Sequence, residues 1–403
     1  MVLDSQQSQH AQSSQPIRDT TQQLHVVFVG RWESEKWVDA IVDARYSLAA
    51  HHPDVLARMK FSFFGDGSCR NLLVGAQREI SALDLTLYGW TPKADIYRFC
   101  QQHAVDVFLM PSLFLETFGL VAGEAIAHGI PVITRKKWWA AQFVLDDLFA
   151  LDTYRDMAAC FLSLVELSAD ALVWYRHHAQ KKALLYTKKQ RYDTFQQICD
   201  RYNISLQNDA KILFVSDYKA ILWGIERHIL DVMWYMSRFF SPHLFAGSFQ
   251  SVWMRRIGLW WSSCNLWAAW WFLRAVFSVQ PALIWWHSVH RYMWWLVVCL
   301  GWWRWWQQIV MYHDFWLFHP FPSRVYDEQD IYASASWKWY MQASPAWYMR
   351  PLVCIKWCLS RLTLFMLRSS CCVHLVPSAY MVPLVKAHLW PAVHVETLPH
   401  FVV

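Results

Sequence analysis

The stretch that decides the fold is Val105-Asp-Val-Phe-Leu-Met110, followed at once by Pro111-Ser-Leu-Phe-Leu-Glu116-Thr-Phe-Gly119-Leu-Val-Ala-Gly-Glu124-Ala-Ile-Ala-His-Gly129-Ile-Pro131-Val-Ile133. The first six residues are a short apolar run, which predicts a buried strand. A loop holding Glu116 follows, a helix is predicted over Leu120–His128, and a second strand over Ile130–Thr134. Strand, helix and strand in this order make a βαβ unit with parallel strands. Open parallel sheets bind ligands outside the carboxyl ends of their strands. The free backbone amides of Gly119, Leu120 and Val121 at the helix start suit a phosphate. Glu124, about one turn into that helix, is placed to take two ribose hydroxyls, and Glu116 a sugar hydroxyl.

Working outward, the same alternation covers the first half. Strands are predicted over His25–Val29, Lys60–Phe64 and Leu83–Tyr88, and helices over Lys36–His51, Asn71–Ala82 and Ala94–Gln102. A helical run from about Thr153 to Tyr202 ends this half, and the pattern breaks at Arg201–Ala210. It then restarts with a strand at Lys211–Ser216 and a helix at Ile225–Phe240, with later strands at Ala282–Trp285, Gln308–Tyr312 and Val373–Pro377. The expectation is an α/β chain of two Rossmann-like domains: a polar tail over 1–24, a first domain over 25–202, a linker over 203–210 and a second domain over 211–403.

Composition narrows the classes. In 403 residues, 55 % are hydrophobic and 17 % charged, which excludes a disordered chain. The net charge of +6 is uneven: 21 Lys and Arg face 23 Asp and Glu before residue 210, against 16 and 8 after it. A basic second half suits an anionic membrane surface or a phosphorylated substrate, and equally a solvated basic face. The ten scattered cysteines have no paired zinc spacing, which fits reduced thiols in a cytoplasmic protein. The Gln- and Ser-rich Met1–Gln23 has no apolar core of a signal peptide. Ile257–Leu273 is free of charge for 17 residues, short of the roughly 20 that a membrane span needs.

Several ordered motifs resemble one family. Glu116 and Glu124 flank Phe118-Gly119-Leu120-Val121 as in the Glu-x7-Glu motif of retaining GT-B glycosyltransferases of family 4. Gly30-Arg31 and Glu35-Lys36 resemble the segment whose Arg and Lys grip the donor diphosphate, and Gly65-Asp-Gly67 the family's Gly-Asp-Gly turn. Leu87-Tyr-Gly89-Trp-Thr91 resembles the loop near the nucleotide base. In the second half, Trp223-Gly224-Ile-Glu-Arg-His228 is similar to the glycine turn of the acceptor domain, and Tyr312-His313-Asp314 to its strand-end His-Asp. Val376-Pro-Ser378 and Leu398-Pro-His-Phe401 resemble later strand ends.

The resemblance implies transfer of a sugar from a UDP-, GDP- or ADP-sugar to a glycan or lipid-linked acceptor, with retention and with no metal or other cofactor. It implies that Arg31 and Lys36 balance charge on the leaving diphosphate. Glu116 and His313 meet the donor sugar, and Glu124 the ribose. Phe118, Gly119, Leu120, Val121, Gly30, Gly65 and Gly224 line the donor. The expected setting is cytoplasmic, with peripheral contact at the inner membrane face and no nucleic acid. Relatives run acceptor domain first, so the order here is reversed, as in a circular permutant or in two neighbouring half-enzymes joined in one frame. The alternatives are a non-catalytic pair of such halves and a Trp-rich membrane-surface module.

One anomaly bears on the motifs. The chain has 28 Trp and 12 Gly, where about 28 Gly would be usual at roughly 7 %. After residue 210 there are 22 Trp and four Gly. Trp37, Trp138, Trp139, Trp223 and Trp316 stand where the family keeps Gly or a small residue for close backbone approach. The expectation is that these Trp are UGA codons read as Gly in the source, against a genuinely Trp-rich interfacial surface.

Overall fold

The computed structural model describes residues 23–113, 118–136, 142–153, 156–216, 224–246, 266–287, 307–313, 336, 357–358, 361, 364–365, 367, 372–389 and 393–400. The chain divides into two compact units, one running to Thr187 and the other from Lys188 to Phe401.

In the first unit the strands are β1 (Leu24–Val29), β2 (Met59–Phe64), β3 (Asp84–Gly89), β4 (Val107–Met110), β5 (Val132–Arg135) and β6 (Ala150–Leu151). They form one sheet in the order β3-β2-β1-β4-β5-β6, every pair parallel. Helices α1 (Val38–His51), α2 (Pro53–Ala57), α3 (Arg70–Glu79), α4 (Lys93–Gln102), α5 (Leu120–Ala127), α6 (Asp156–Val165) and α7 (Ala169–Ala183) connect and extend the strands. All four residues of β4 are buried and so are five of six in β1, as helices on both faces of a parallel sheet require. The strand order reverses between β1 and β4. That is the switch point where open α/β sheets leave a crevice for ligand.

The second unit begins with α8 (Lys188–Arg201), followed by β7 (Lys211–Ser216), α9 (Gly224–Met236), β8 (Ser241–Ala246) and α10 (Leu266–Val279). Then come β9 (Leu283–Trp286), β10 (Gln307–Met311), β11 (Cys372–Val376), α11 (Met381–Leu389) and β12 (Val395–Thr397). The sheet order is β12-β11-β10-β9-β7-β8, again all parallel, with its own reversal between β7 and β9. Both units are therefore Rossmann-like α/β layers.

The structure differs from the sequence reading in three places. Helix α8 belongs to the second unit rather than the first: Phe195 stacks on Trp285 at 4.9 Å, and Arg201 pairs with Glu396 at 2.6 Å. Its apolar residues Phe195, Ile198 and Cys199 find their match on β7 and β9, so packing overrides the polar break at residues 203–210. Strand β8 has no clean alternating pattern and carries Pro242. It lies at the sheet edge, where a residue without an N–H is tolerated. Strand β6 has only two residues, too few for any periodicity.

The doublet Trp285-Trp286 is fully buried in β9, and the Trp286 indole donates to Gln308 Oε1 at 3.1 Å. Among the described residues, no single helix is long and apolar enough to cross a membrane. Cys69, Cys100, Cys160 and Cys199 are buried free thiols, and burial pushes the last three up to about 12.

Candidate functional site

The site grows from the carboxyl ends of β1 to β4. Strands β1 and β2 run directly into Gly30 and Gly65, and β3 ends on Gly89, with φ of +154°, +137° and +74°. The Gly30 amide donates to the Phe64 carbonyl at 3.0 Å and the Gly65 amide to the Gly89 carbonyl at 2.7 Å. A Cβ on Gly65 would lie 1.9 Å from the Gly30 oxygen, so this close approach requires glycine at 65. The next residues continue the seam: Trp32 N–H donates to Asp66 O at 2.9 Å, and Cys69 N–H to Trp32 O at 2.8 Å. Trp32 is fully buried, and its indole N–H has no partner among the described residues.

Beyond this seam lie the basic side chains. Arg31 is half-exposed and pairs with Glu35, one turn along the chain. Lys36, in a 3-10 turn, donates from Nζ to Ser112 Oγ at 3.3 Å, immediately beyond β4. The Leu113 amide donates to the Glu35 carbonyl at 2.9 Å, and Arg135 at the end of β5 donates to the Leu113 carbonyl at 3.1 Å. Loops from β1, β4 and β5 thus converge on the switch point.

Trp37 caps α1 in the left-handed conformation, φ 58° and ψ 30°, with no side-chain capping bond. This is backbone that favours glycine and is strained for a bulky residue. Its ring is nonetheless buried, with the Arg135 guanidinium 5.2 Å from the ring centre. Trp138, Trp139, Trp223 and Trp316 lie outside the described residues, as do Glu116 and Asp314.

Gly119 opens α5 with φ 72° and ψ 64°. Its carbonyl accepts from Ala122 and Gly123 at 3.0 and 3.2 Å, while the preceding amides of Leu120 and Val121 point out of the helix start, as first-turn amides must. Phe118, expected to line the donor, is packed into the interior. It is 2 % exposed, edge-on to Phe143 at 5.5 Å and to Tyr186 at 5.6 Å, so its ring anchors the start of α5. Glu124 is also not free: Oε1 accepts from Lys93 Nζ at 2.5 Å and Oε2 from Tyr97 OH at 3.2 Å. Burial and the Glu124 charge hold the Tyr97 hydroxyl well above its usual titration range, so it stays a donor. Lys93, Tyr97, Ser112 and Arg135 escaped the sequence reading, because isolated residues of these types carry no spacing signal.

In the second unit, Gly224 is the first residue of α9. His313 follows β10 and is 5 % exposed. Both its ring nitrogens are occupied: Nε2 by His287 Nδ1 at 2.6 Å and Nδ1 by His400 Nε2 at 3.3 Å. Burial, with the Arg191 charge, pushes the His313 imidazole down to about 3. His287 and His400 follow β9 and β12, one and three residues beyond the strand ends. Among the described residues, no group of three or more His, Cys, Asp and Glu is arranged to hold a metal ion.

The stretch of residues 23–165 matches the family model described as Glycosyl transferases group 1. It covers most of the first unit and contains the switch-point site. Among curated relatives, an uncharacterized 41.2 kDa protein in the cps region of Klebsiella pneumoniae is 30% identical over 128 residues, 32% of this chain and 32% of its own. A glycogen synthase of Mycobacterium tuberculosis is 30% identical over 118 residues, 29% of this chain and 27% of its own. The chain therefore spans about a third of the length of the curated relatives it matches. Among solved structures, the pneumococcal O-GlcNAc transferase GtfA in complex with UDP and GlcNAc has a TM-score of 0.35 at 21% identity, over 46% of this chain and 37% of its own. The C-terminal domain of a glycosyl transferase group 1 family protein from Francisella tularensis has a TM-score of 0.34 at 16% identity, over 43% of this chain and 95% of its own.

Proposed function

We propose that the chain is a glycosyltransferase that moves a sugar from a nucleotide-sugar donor, with the diphosphate bound at the β1/β4 switch point. One observation carries this reading: Gly30, Arg31 and Lys36 after β1, the amides of Leu120 and Val121, and Glu124 in α5 all border the same strand ends. Helix-start amides and two cations suit a diphosphate, and they stabilise the charge that grows on it as the sugar departs. Glu124 takes ribose hydroxyls once Lys93 turns away.

The finer parts of the proposal rest on the motif resemblance. They are a hexosyl group transferred with retention as in family 4, a glycan or lipid-linked acceptor, and chemistry without a metal. Glu116 and His313 at the donor sugar, Gly224 near the phosphates, and work at the cytoplasmic membrane face complete it. The left-handed backbone at Trp37 supports the reading of that codon as Gly.

A second reading is a chain that folds without transferring sugar. The observation favouring it is that Arg31, Lys36, Glu124 and His313 each already have a side-chain partner. Calorimetric titration with UDP-, GDP- and ADP-sugars, followed by assay of sugar release, separates the two. Binding with release supports transfer, binding alone supports the second reading, and no binding of any donor overturns the proposal.

A further inference from the structure

His287, His313 and His400 stand just beyond the carboxyl ends of β9, β10 and β12, all buried within the second unit. Their ring planes differ by only 15° and 13°, with centroids 4.9 and 5.0 Å apart. Near-parallel rings joined nitrogen to nitrogen at such centroid spacing lie edge to edge rather than face to face. The three imidazoles make a flat ribbon. His287 at one end lies against Phe214 and Trp285, at 5.6 and 5.4 Å, and His228 tilts onto His400 at the other, at 3.9 Å.

A neutral imidazole has one N–H and one lone pair. Burial, reinforced by neighbouring imidazoles and the Arg191 charge, keeps all three rings neutral at ordinary pH. Each link then needs an N–H on one side and a lone pair on the other. If His287 donates from Nδ1, His313 accepts at Nε2, keeps its own proton on Nδ1 and donates it to His400 Nε2. In the reverse arrangement all three protons sit on Nε2. A mixture sets two donors or two lone pairs against each other in a buried site, which costs a hydrogen bond and leaves both groups unsatisfied.

We propose that His287 and His400 are positioning residues for His313, and that the three rings change tautomer only together. His287 Nε2 is buried without a partner among the described residues. At the other end His400 Nδ1 is buried as well, so either shared state puts one buried end nitrogen in its N–H form, and the coupling holds for both. The consequence for donor handling rests on the proposed transferase reading; the coupling itself does not. A hydroxyl that takes a nitrogen of His313 must open one link, and the whole ribbon responds.

The test is long-range proton–nitrogen NMR of the full chain with 15N-labelled histidine. At pH 7 the expected result is one tautomer shared by all three rings, Nδ1–H throughout or Nε2–H throughout. Different tautomers among the three, or an imidazolium, would overturn the proposal. His287→Phe keeps a flat ring but removes the link, and His313 and His400 should then show averaged tautomer shifts, with His287→Asn restoring a single state. Unchanged His313 shifts in the Phe variant contradict the coupling. If that variant fails to fold, the wild-type tautomers alone decide. Donor titration on the same wild-type sample keeps the two ideas apart, since absent donor binding would leave the NMR result untouched.

Discussion

Lys93 Nζ donates to Glu124 Oε1 at 2.5 Å, linking the start of α4 to α5 and occupying one oxygen of the carboxylate proposed for the ribose. Lys93 is 60% exposed, so the pair contributes little, about 0–1 kcal/mol. Nucleotide binding must open it. Lys93→Ala should therefore bind a nucleotide as tightly as wild type or up to roughly fivefold tighter. A tenfold weaker affinity by calorimetry would mean that Lys93 itself holds the nucleotide.

Gly65→Ala tests the glycine seam. Its Cβ would meet the Gly30 carbonyl oxygen at 1.9 Å, with φ at +137°. The obstacle is Gly30 backbone, which cannot swing aside as a side chain can, so the loops after β1 and β2 must separate. The expected loss of stability is at least about 3 kcal/mol by denaturant unfolding. Gly75→Ala is the control, since its nearest neighbour is a Glu79 side-chain oxygen at 3.9 Å. Equal stability of the two variants would remove the seam from the account of the site.

The histidines set the acid side of stability. His313 is lowered from 6.5 to about 3, and His25, His128 and His374 to about 4, burial being the first cause in each. A depressed imidazole pKa means that the unfolded chain binds more protons, so stability is full above 6.5 and falls as pH drops toward 3 to 4. The melting temperature should decline steadily between pH 6.5 and 4.5. A flat profile over that range contradicts burial of neutral histidines.

Trp37 offers a chemical test of the composition anomaly. Trypsin cuts after Lys36 and Arg45, releasing Trp37-Val-Asp-Ala-Ile-Val-Asp-Ala-Arg45. Protein from its natural source should yield this peptide with Gly at the first position. A peptide mass with Trp there ends the recoding idea and leaves a bulky residue held in left-handed backbone by its burial.

How much of this was legible in the sequence follows from where the signals are local. Strands β1 to β5 and β7 show as short apolar runs between amphipathic helices, within a residue or two at their ends. The motif glycines mark backbone that only Gly adopts, and Gly30, Gly65 and Gly119 all have positive φ. Pairing was not legible: nothing in Glu124 announces Lys93 thirty-one residues earlier, and nothing in Phe118 announces that Phe143 and Tyr186 enclose it. Nor did the polar break after Arg201 show that α8 packs on β7 and β9, because an apolar face does not name its partner. His400 was legible as a strand-end residue, but its bond to His313 depends on sheet order, which no local pattern encodes.

The most direct test of donor binding at the switch point is calorimetric titration of UDP-, GDP- and ADP-sugars into wild type, Arg31→Ala and Glu124→Ala. The expected result is saturable binding of at least one donor to wild type, weakened roughly tenfold or more in each variant, as loss of a charged hydrogen bond implies. Equal affinity in all three proteins would contradict the assignment of the site, and no binding of any donor to wild type would contradict the function.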